Sequence, residues 1–370
     1  MSKPKIIAFY LPQFHPTPDN DKWWGKGFTE WTNVGKAKPL FRGHYQPKVP
    51  ADLGYYDLRL NEVREAQAQL AIEAGLYGFC YYHYWFGNGK EELEIPFNEV
   101  LKSGKPDFPF MLCWANDSWY KKQWNKDVLG STKEILIEQT YPGEKDHIDH
   151  FYKLLPAFKD ERYIKIQGKP TFMIYKPHYI PDVERFIELW NKLAKENGLK
   201  GISFIAHIQS ELEQKMSESE CISYYKNLGF DFINFNRLHK ALEKRNNLEK
   251  LSSKIIRKIT RRPLLYPYLK AQNYFVDNID SEKFVIPTII PNWDHTPRSG
   301  ENGLVYTNSS PENFKRHLKN LISQVKNKEE EFNYVMLKSW NEWGEGNFIE
   351  PDLKYGKGFL NVIKEVLNNM

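Results

Sequence analysis

The feature that most constrains this chain is a series of eight short apolar runs, each followed by a polar or helical stretch. They fall at 5–10, 78–84, 109–114, 170–175, 202–207, 230–235, 284–290 and 333–339. Helical periodicity fills the gaps at 59–74, 93–102, 145–159, 181–197, 217–227, 311–327 and 358–368. In 181–197, Val183, Phe186, Ile187, Trp190, Leu193 and Ala194 recur at helical spacing, and Gly198 follows. Strands that are apolar on both faces and alternate with helices imply a parallel sheet covered on both sides. Eight such units predict an α/β chain closed into a single (β/α)8 barrel over 1–370, and 370 residues suit a barrel with loop insertions. An open, doubly wound sheet is the alternative, but it normally carries a glycine-rich turn after its first strand. Here Leu-Pro-Gln-Phe-His follows instead, and no cofactor is expected.

The connection after strand six, 237–283, is unusually long and basic. Between Lys240 and Lys270 there are ten Lys or Arg against two Glu, so the formal charge of +5 on the whole chain conceals a net negative remainder. Leu248, Leu251, Ile255, Ile256 and Ile259 form one helical stripe, with Lys250, Lys254, Arg257, Lys258 and Arg261 on the other face. The commoner fate of such a helix is docking on the barrel with its basic face solvated. The sharper one is peripheral contact with an anionic membrane surface through 248–262. No nucleic-acid module accompanies the basic stretch, so no nucleic-acid partner is expected.

Three cysteines cannot form a disulfide framework, and Cys80 and Cys113 lie in apolar runs that predict buried thiols. No metal is expected. The run from Asp146 to His150 has metal-ligand residue types, but it opens a helix, where acidic residues suit the dipole. Asp19-Asn20-Asp21 spells a short acidic motif that chance alone supplies in a chain of this composition. The N-terminal apolar run is too short for a signal peptide and ends at Pro12, which predicts a cytoplasmic location.

In a barrel of this kind the active site gathers at the C-terminal strand ends. Read in order, those ends carry Gln13 and His15, His83 and Trp85, Trp114 and Asn116, Tyr175, and His207. Asn234 and Asn236, Asn292 with Trp293 and Asp294, and Trp340 with Asn341 and Glu342 complete the ring. Amides and imidazoles suit sugar hydroxyls, and indoles suit the flat C–H faces, so a glycan-binding cleft is expected. Aromatic residues make up 15% of the chain, many in short clusters, and Trp31, Trp85, Trp114, Trp293 and Trp343 are expected to approach one pocket. The sharpest motif is W-N-E-W-G-E-G from Trp340 to Gly346. Glycoside cleavage uses two carboxyl groups, one protonated and one ionised, and the three-residue spacing of Glu342 and Glu345 puts both on one face of a helical turn.

That motif continues to Gly356 as N-F-I-E-P-D-L-K-Y-G and, so extended, resembles the terminal motif of the WbsX family, whose members are similar to glycoside hydrolase family 99. A-F-Y-L-P-Q-F-H, G-F-T-E-W-T-N-V with Glu30 and Trp31, F-R-G-H-Y-Q-P with His44, D-L-G-Y-Y-D-L-R, Y-Y-H-Y-W-F and N-W-D-H-T-P-R extend the resemblance over nearly the whole chain outside 237–283. It implies retaining, endo-acting α-mannosidase or mannanase chemistry. Glu342 would deprotonate the substrate's own 2-hydroxyl, which attacks the anomeric carbon, and Glu345 would be the general acid. After strand three the chain has W-A-N-D-S-W-Y-K where the family pattern runs W-A-N-E and then W-T-R, a difference that bears on sugar preference. Two other functions remain open on the same residues: a glycosyltransferase or transglycosylase of lipopolysaccharide or capsule synthesis, and a glycan-binding protein without catalysis.

Overall fold

A computed structural model of the chain describes residues 2–121, 134–209 and 215–370. The eight apolar runs form eight parallel strands: β1 (Lys5–Tyr10), β2 (Gly78–Trp85), β3 (Phe110–Trp114), β4 (Lys169–Ile174), β5 (Ser203–Ile208), β6 (Phe232–Phe235), β7 (Val285–Ile289) and β8 (Tyr334–Leu337). Each pairs with its neighbours in sequence, and β1 pairs with both β2 (Ile7 opposite Gly78) and β8 (Lys5 opposite Tyr334). That double pairing closes the sheet into a barrel, so the open-sheet alternative is excluded. Helices at Asn61–Ala74, Ile95–Ser103, Glu144–Lys159, Val183–Glu196, Glu218–Asn227, Pro311–Val325 and Gly358–Asn368 form the outer layer.

Period-two alternation assigns the strand residues to two layers. On β2, Tyr82 faces the barrel interior, where it stacks on Phe9. His83 faces outward, its ring stacked on His150 of helix Glu144–Lys159. On β4, Phe172 faces outward to Trp190 of helix Val183–Glu196. The three cysteines are buried and none forms a disulfide. The long β1–β2 connection contains two short helices ahead of the expected one at 59–74, Pro18–Trp24 and Glu30–Lys36, each started by a threonine cap.

The 237–283 connection is anchored at both ends by one buried cluster. Arg237 bonds Glu218 at 2.7 Å and Asp280 at 2.8 Å. Its second half packs onto the β7–β8 connection: Leu264–Pro267 pairs in parallel with Leu304–Thr307, over a small core of Leu238, Tyr268, Phe275 and Trp293. The basic amphipathic helix forms at Asn247–Thr260, but its apolar stripe is exposed rather than docked on the barrel, which corrects the commoner expectation. No helix among the described residues is long and apolar enough to cross a membrane.

Candidate active site

Beyond β8 the chain is pinned before it reaches the glutamates. Trp340 N–H donates to the Phe9 carbonyl, and the Asn341 side chain clasps both the N–H and the carbonyl of Leu11. Asn341–Glu342 then pairs with Asn347–Phe348, and Trp343–Glu345 makes a single 3₁₀ turn between them. In a 3₁₀ turn residues three apart eclipse one another, so Glu342 and Glu345 leave the loop on the same side. Trp343 is the turn's foundation: its ring stacks on Phe348 and its indole N–H donates to Glu350 at 2.6 Å.

Arg298, on the short helix Thr296–Ser299 after β7, ties the site together. Its Nε donates to Glu30 at 2.8 Å, one terminal nitrogen to Glu345 at 2.6 Å and the other to Glu342 at 3.2 Å. Three carboxylates thus surround one guanidinium. The turn approaches so closely that a Cβ on Gly344 would lie 1.6 Å from a Glu30 oxygen. Gly346 has φ of +52°, and a Cβ there would meet the Asp294 Cβ at 2.6 Å. Glycine is therefore required at both positions, by contact at one and by contact and backbone conformation at the other.

The two glutamates differ in proton affinity. Burial raises Glu342 to about 7, helped by the charge of Glu345, with Arg298 and Lys338 opposing. Burial also acts on Glu345, but Arg298, His295 and Lys338 outweigh it and hold that carboxyl well below the usual range. His295 Nε2 lies 3.6 Å and Lys338 Nζ 4.0 Å from Glu345. Of the two, Glu342 therefore holds a proton more tightly than Glu345. That is the reverse of the order the family 99 resemblance implies for substrate cleavage.

Glu345 opens onto a cavity of about 360 Å³, within the usual range of about 300–1,000 Å³ for small-ligand sites. Its wall is built from the residues just past five successive strands: Tyr175, Gln209, Asn236, Trp293 and Lys338. His239, His295 and Asn302 complete it. Trp293 stacks on His295 (7° between planes) and has Lys338 Nζ 5.7 Å from its ring centre, so it stands as a flat wall beside a carboxylate. A larger cavity of 420 Å³ lies on the other side of Trp293, lined by Arg42, His44, Lys48 and Asp294, and neither glutamate reaches it.

A model of the family described as Glycosyltransferase WbsX matches residues 6–363. The chain belongs to the WbsX family. Two proteins of Xanthomonas campestris pv. campestris, from different strains and both described as uncharacterized protein WxcX, are 32% identical over 369 residues. The match takes in 98% of this chain and 49% of each relative, so the chain spans about half the length of these relatives. Among solved structures, a "glycoside hydrolase-like protein" aligns with a TM-score of 0.62 at 16% identity, over 99% of this chain and 94% of that one. A family 99 endo-α-mannosidase from Bacteroides thetaiotaomicron aligns with a TM-score of 0.55 at 16% identity, over 98% and 96%. At these identities the likeness is one of fold.

For this WbsX member the structure gathers Glu30, Tyr175, Asn236, Trp293, Glu342 and Glu345 around one site and its cavity, and most of the other candidate residues lie elsewhere. His83 and Trp85 face outward: His83 meets His150 at 2.8 Å and Trp85 donates to Asp146. Trp114 is buried between His150 and Phe186, with its N–H on the Trp85 carbonyl. Asn116 is consumed by Lys176 backbone and Tyr141, tying β3 to β4. His15 is buried with Nδ1 near the Pro12 carbonyl, and Gln13 contributes its carbonyl to the Glu30 N–H. Trp31 donates to the Tyr56 carbonyl and packs on Trp343, so it supports the Trp343–Glu345 turn. Trp340 is buried against Phe79, and Asn341 and Trp343 hold the loop as described. The expectation of a tryptophan-lined cleft therefore fails for all but Trp293.

His44 and Asp294 form a buried lock in the wall of the larger cavity. The Leu40 N–H donates to His44 Nδ1, so Nε2 carries the proton and donates to Asp294 at 2.8 Å. Gln46 and Lys48 reach the same oxygen at 2.7 and 2.9 Å, and Thr296 binds the other. Burial favours protonation of Asp294, but Lys48, His44 and Thr296 outweigh it and hold the carboxyl well below its ordinary value. His207 lies inside the barrel beneath Tyr175, with Nδ1 at 2.6 Å from Asn234, and burial drives it down to about 3, so it is neutral.

Residues that the sequence reading passed over include Tyr82, Tyr84, Lys338 and Arg298. The first three could have been found by counting parity along β2 and β8, since only alternate residues face the interior. Arg298 sat in N-W-D-H-T-P-R but carried no local signal, because its partners are 44, 47 and 268 residues away. The metal-like run at 146–150 diverges: Asp146 receives Trp85, His150 faces the barrel and Asp149 pairs with Lys145 in solvent.

Proposed function

We propose that the chain is a carbohydrate-active enzyme that cleaves an α-linked glycan with retention through Glu342 and Glu345. The observation that carries this reading is the carboxylate pair on one guanidinium, with opposite shifts in proton affinity, beside a cavity walled by Trp293. One protonated and one ionised carboxyl is the state that glycoside cleavage requires.

Following the family 99 resemblance, Glu342 takes the proton of the sugar's 2-hydroxyl, whose oxygen bonds to the anomeric carbon. The glycosidic C–O bond breaks, its oxygen receives a proton from Glu345, and a 1,2-anhydro sugar remains. Glu345 then deprotonates a water whose oxygen bonds to the anomeric carbon, the bond from that carbon to the 2-oxygen breaks, and Glu342 returns its proton to the 2-oxygen. For this order the resting proton must pass from Glu342 to Glu345. Arg298 governs that exchange: a sugar oxygen that draws the guanidinium away from Glu345 removes the main charge holding it ionised. Tyr175 shares the cavity wall with Glu345.

Incubation of the purified protein with a panel of α-linked manno- and other oligosaccharides, with and without nucleotide sugars, tests the reading. New reducing ends of α configuration without any nucleotide sugar support hydrolysis. Products that appear only when a nucleotide sugar is present assign the chain to glycosyl transfer and overturn it.

A further inference from the structure

Helix Asn247–Thr260 is turned the wrong way for a docked amphipathic helix. At about 100° per residue, Leu248, Leu251, Ile255, Ile256 and Ile259 share an arc of about 140°. Leu248 is 78% and Ile259 76% exposed, and the other three are about half exposed or more. The contacts that hold the helix to the protein lie on the opposite side: Ser253 accepts from Arg245, and Arg257 donates to the Glu301 carbonyl. The polar face therefore meets the protein and the apolar face meets solvent. Lys254, Lys258, Arg261 and Arg262 are exposed, and Lys254 and Lys258 border the stripe on one side. Exposed Leu265 and Leu269 continue apolar surface on the same insertion.

We propose that this helix is a docking surface for an anionic lipid bilayer. Apolar side chains entering the acyl boundary, with lysine and arginine at its edge reaching the headgroups, is the arrangement such a bilayer binds. The charge selects lipid over a second copy of the chain, because two copies that each present Lys254, Lys258, Arg261 and Arg262 at the edge of this surface repel. The place of the helix adds a consequence. Arg257 holds Glu301, and the next residues, Asn302 and Leu304, are part of the cavity wall beside Glu345. A bilayer under the helix lies one helix diameter, ~10 Å, from this segment of the cavity wall, so a glycan carried on a lipid anchor is the substrate form the placement suits. That last clause rests on the glycan-cleaving reading, whereas lipid binding itself does not.

The test is co-sedimentation of the full chain, without any sugar, with vesicles of phosphatidylcholine alone or of equimolar phosphatidylcholine and phosphatidylglycerol. The chain should bind the mixed vesicles, bind them less at raised salt, and stay in the supernatant with the neutral ones. Leu251→Glu with Ile255→Glu, and separately Lys254→Glu with Lys258→Glu, should each lower binding at least about tenfold. These side chains are exposed, so the thermal melting of both variants should match the parent. No binding to the mixed vesicles, or equal binding by the variants, overturns the proposal. A dimer that Leu251→Glu with Ile255→Glu converts to monomer, with no vesicle binding by the parent, does the same.

Discussion

Arg298 commits all three of its nitrogens to carboxylates, so its removal shifts both glutamates in one direction. Without the cation the neutral form of each is favoured, and Glu30 remains nearby as a like charge. The proposed catalytic role of the pair predicts an alkaline limb of the pH–rate profile as pH rises through about 7, where Glu342 loses its proton. Arg298→Gln should therefore move both limbs to higher pH, with the larger movement on the acid limb set by Glu345. A profile of unchanged shape would separate Arg298 from the pair's titration. Asp294 obeys the opposite sign. Its carboxyl is held below its unfolded value, so the stability it contributes is present at neutral pH and is lost as pH falls through the acidic range. Asp294→Ala strands Lys48 in a buried setting and should cost about 3–5 kcal/mol in chemical denaturation at pH 7. The loss should shrink on acidification. A loss independent of pH would contradict the lock.

At the scale of elements, the sheet was legible because apolar runs buried on both faces leave a continuous signal. All eight strands lie within about two residues of their expected bounds. The wall of the site was less legible, for two separable reasons. Residues at strand ends were read together, yet Tyr82 and His83 belong to different layers, and only parity distinguishes them. The β1–β2 connection and the Arg298 turn hold their shape through long-range bonds, such as Tyr56 to Glu350 and Arg298 to Glu30, for which local propensity gives no sign. The distinction is measurable. Trp293→Ala should raise KM for an oligosaccharide roughly tenfold or more, and because the ring is also buried in the small core under the insertion it should cost about 3–5 kcal/mol of stability as well. Trp85→Phe, which breaks the bond to Asp146, should lower melting temperature and leave KM alone. A raised KM in that variant would return Trp85 to the cleft.

At the scale of the whole molecule, the barrel brings one loop after β8, one short helix after β7 and one helix after β1 to the same mouth. Its closure by β1 against both β2 and β8 is what places Glu30 beside residues more than 260 positions away. The insertion between β6 and β7 shares that mouth, joining the cavity to the exposed helix. The central claim is that Glu342 and Glu345 perform the chemistry there. The direct measurement is kcat/KM on an α-linked oligosaccharide for the parent, Glu342→Gln and Glu345→Gln, each shown to melt at the parental temperature. The account predicts a fall of about 10²–10⁴-fold in each variant. It also predicts that an activated aryl glycoside restores much of the first-step rate in Glu345→Gln and none in Glu342→Gln. Parental turnover in either glutamine variant would remove that carboxylate from catalysis and contradict the account.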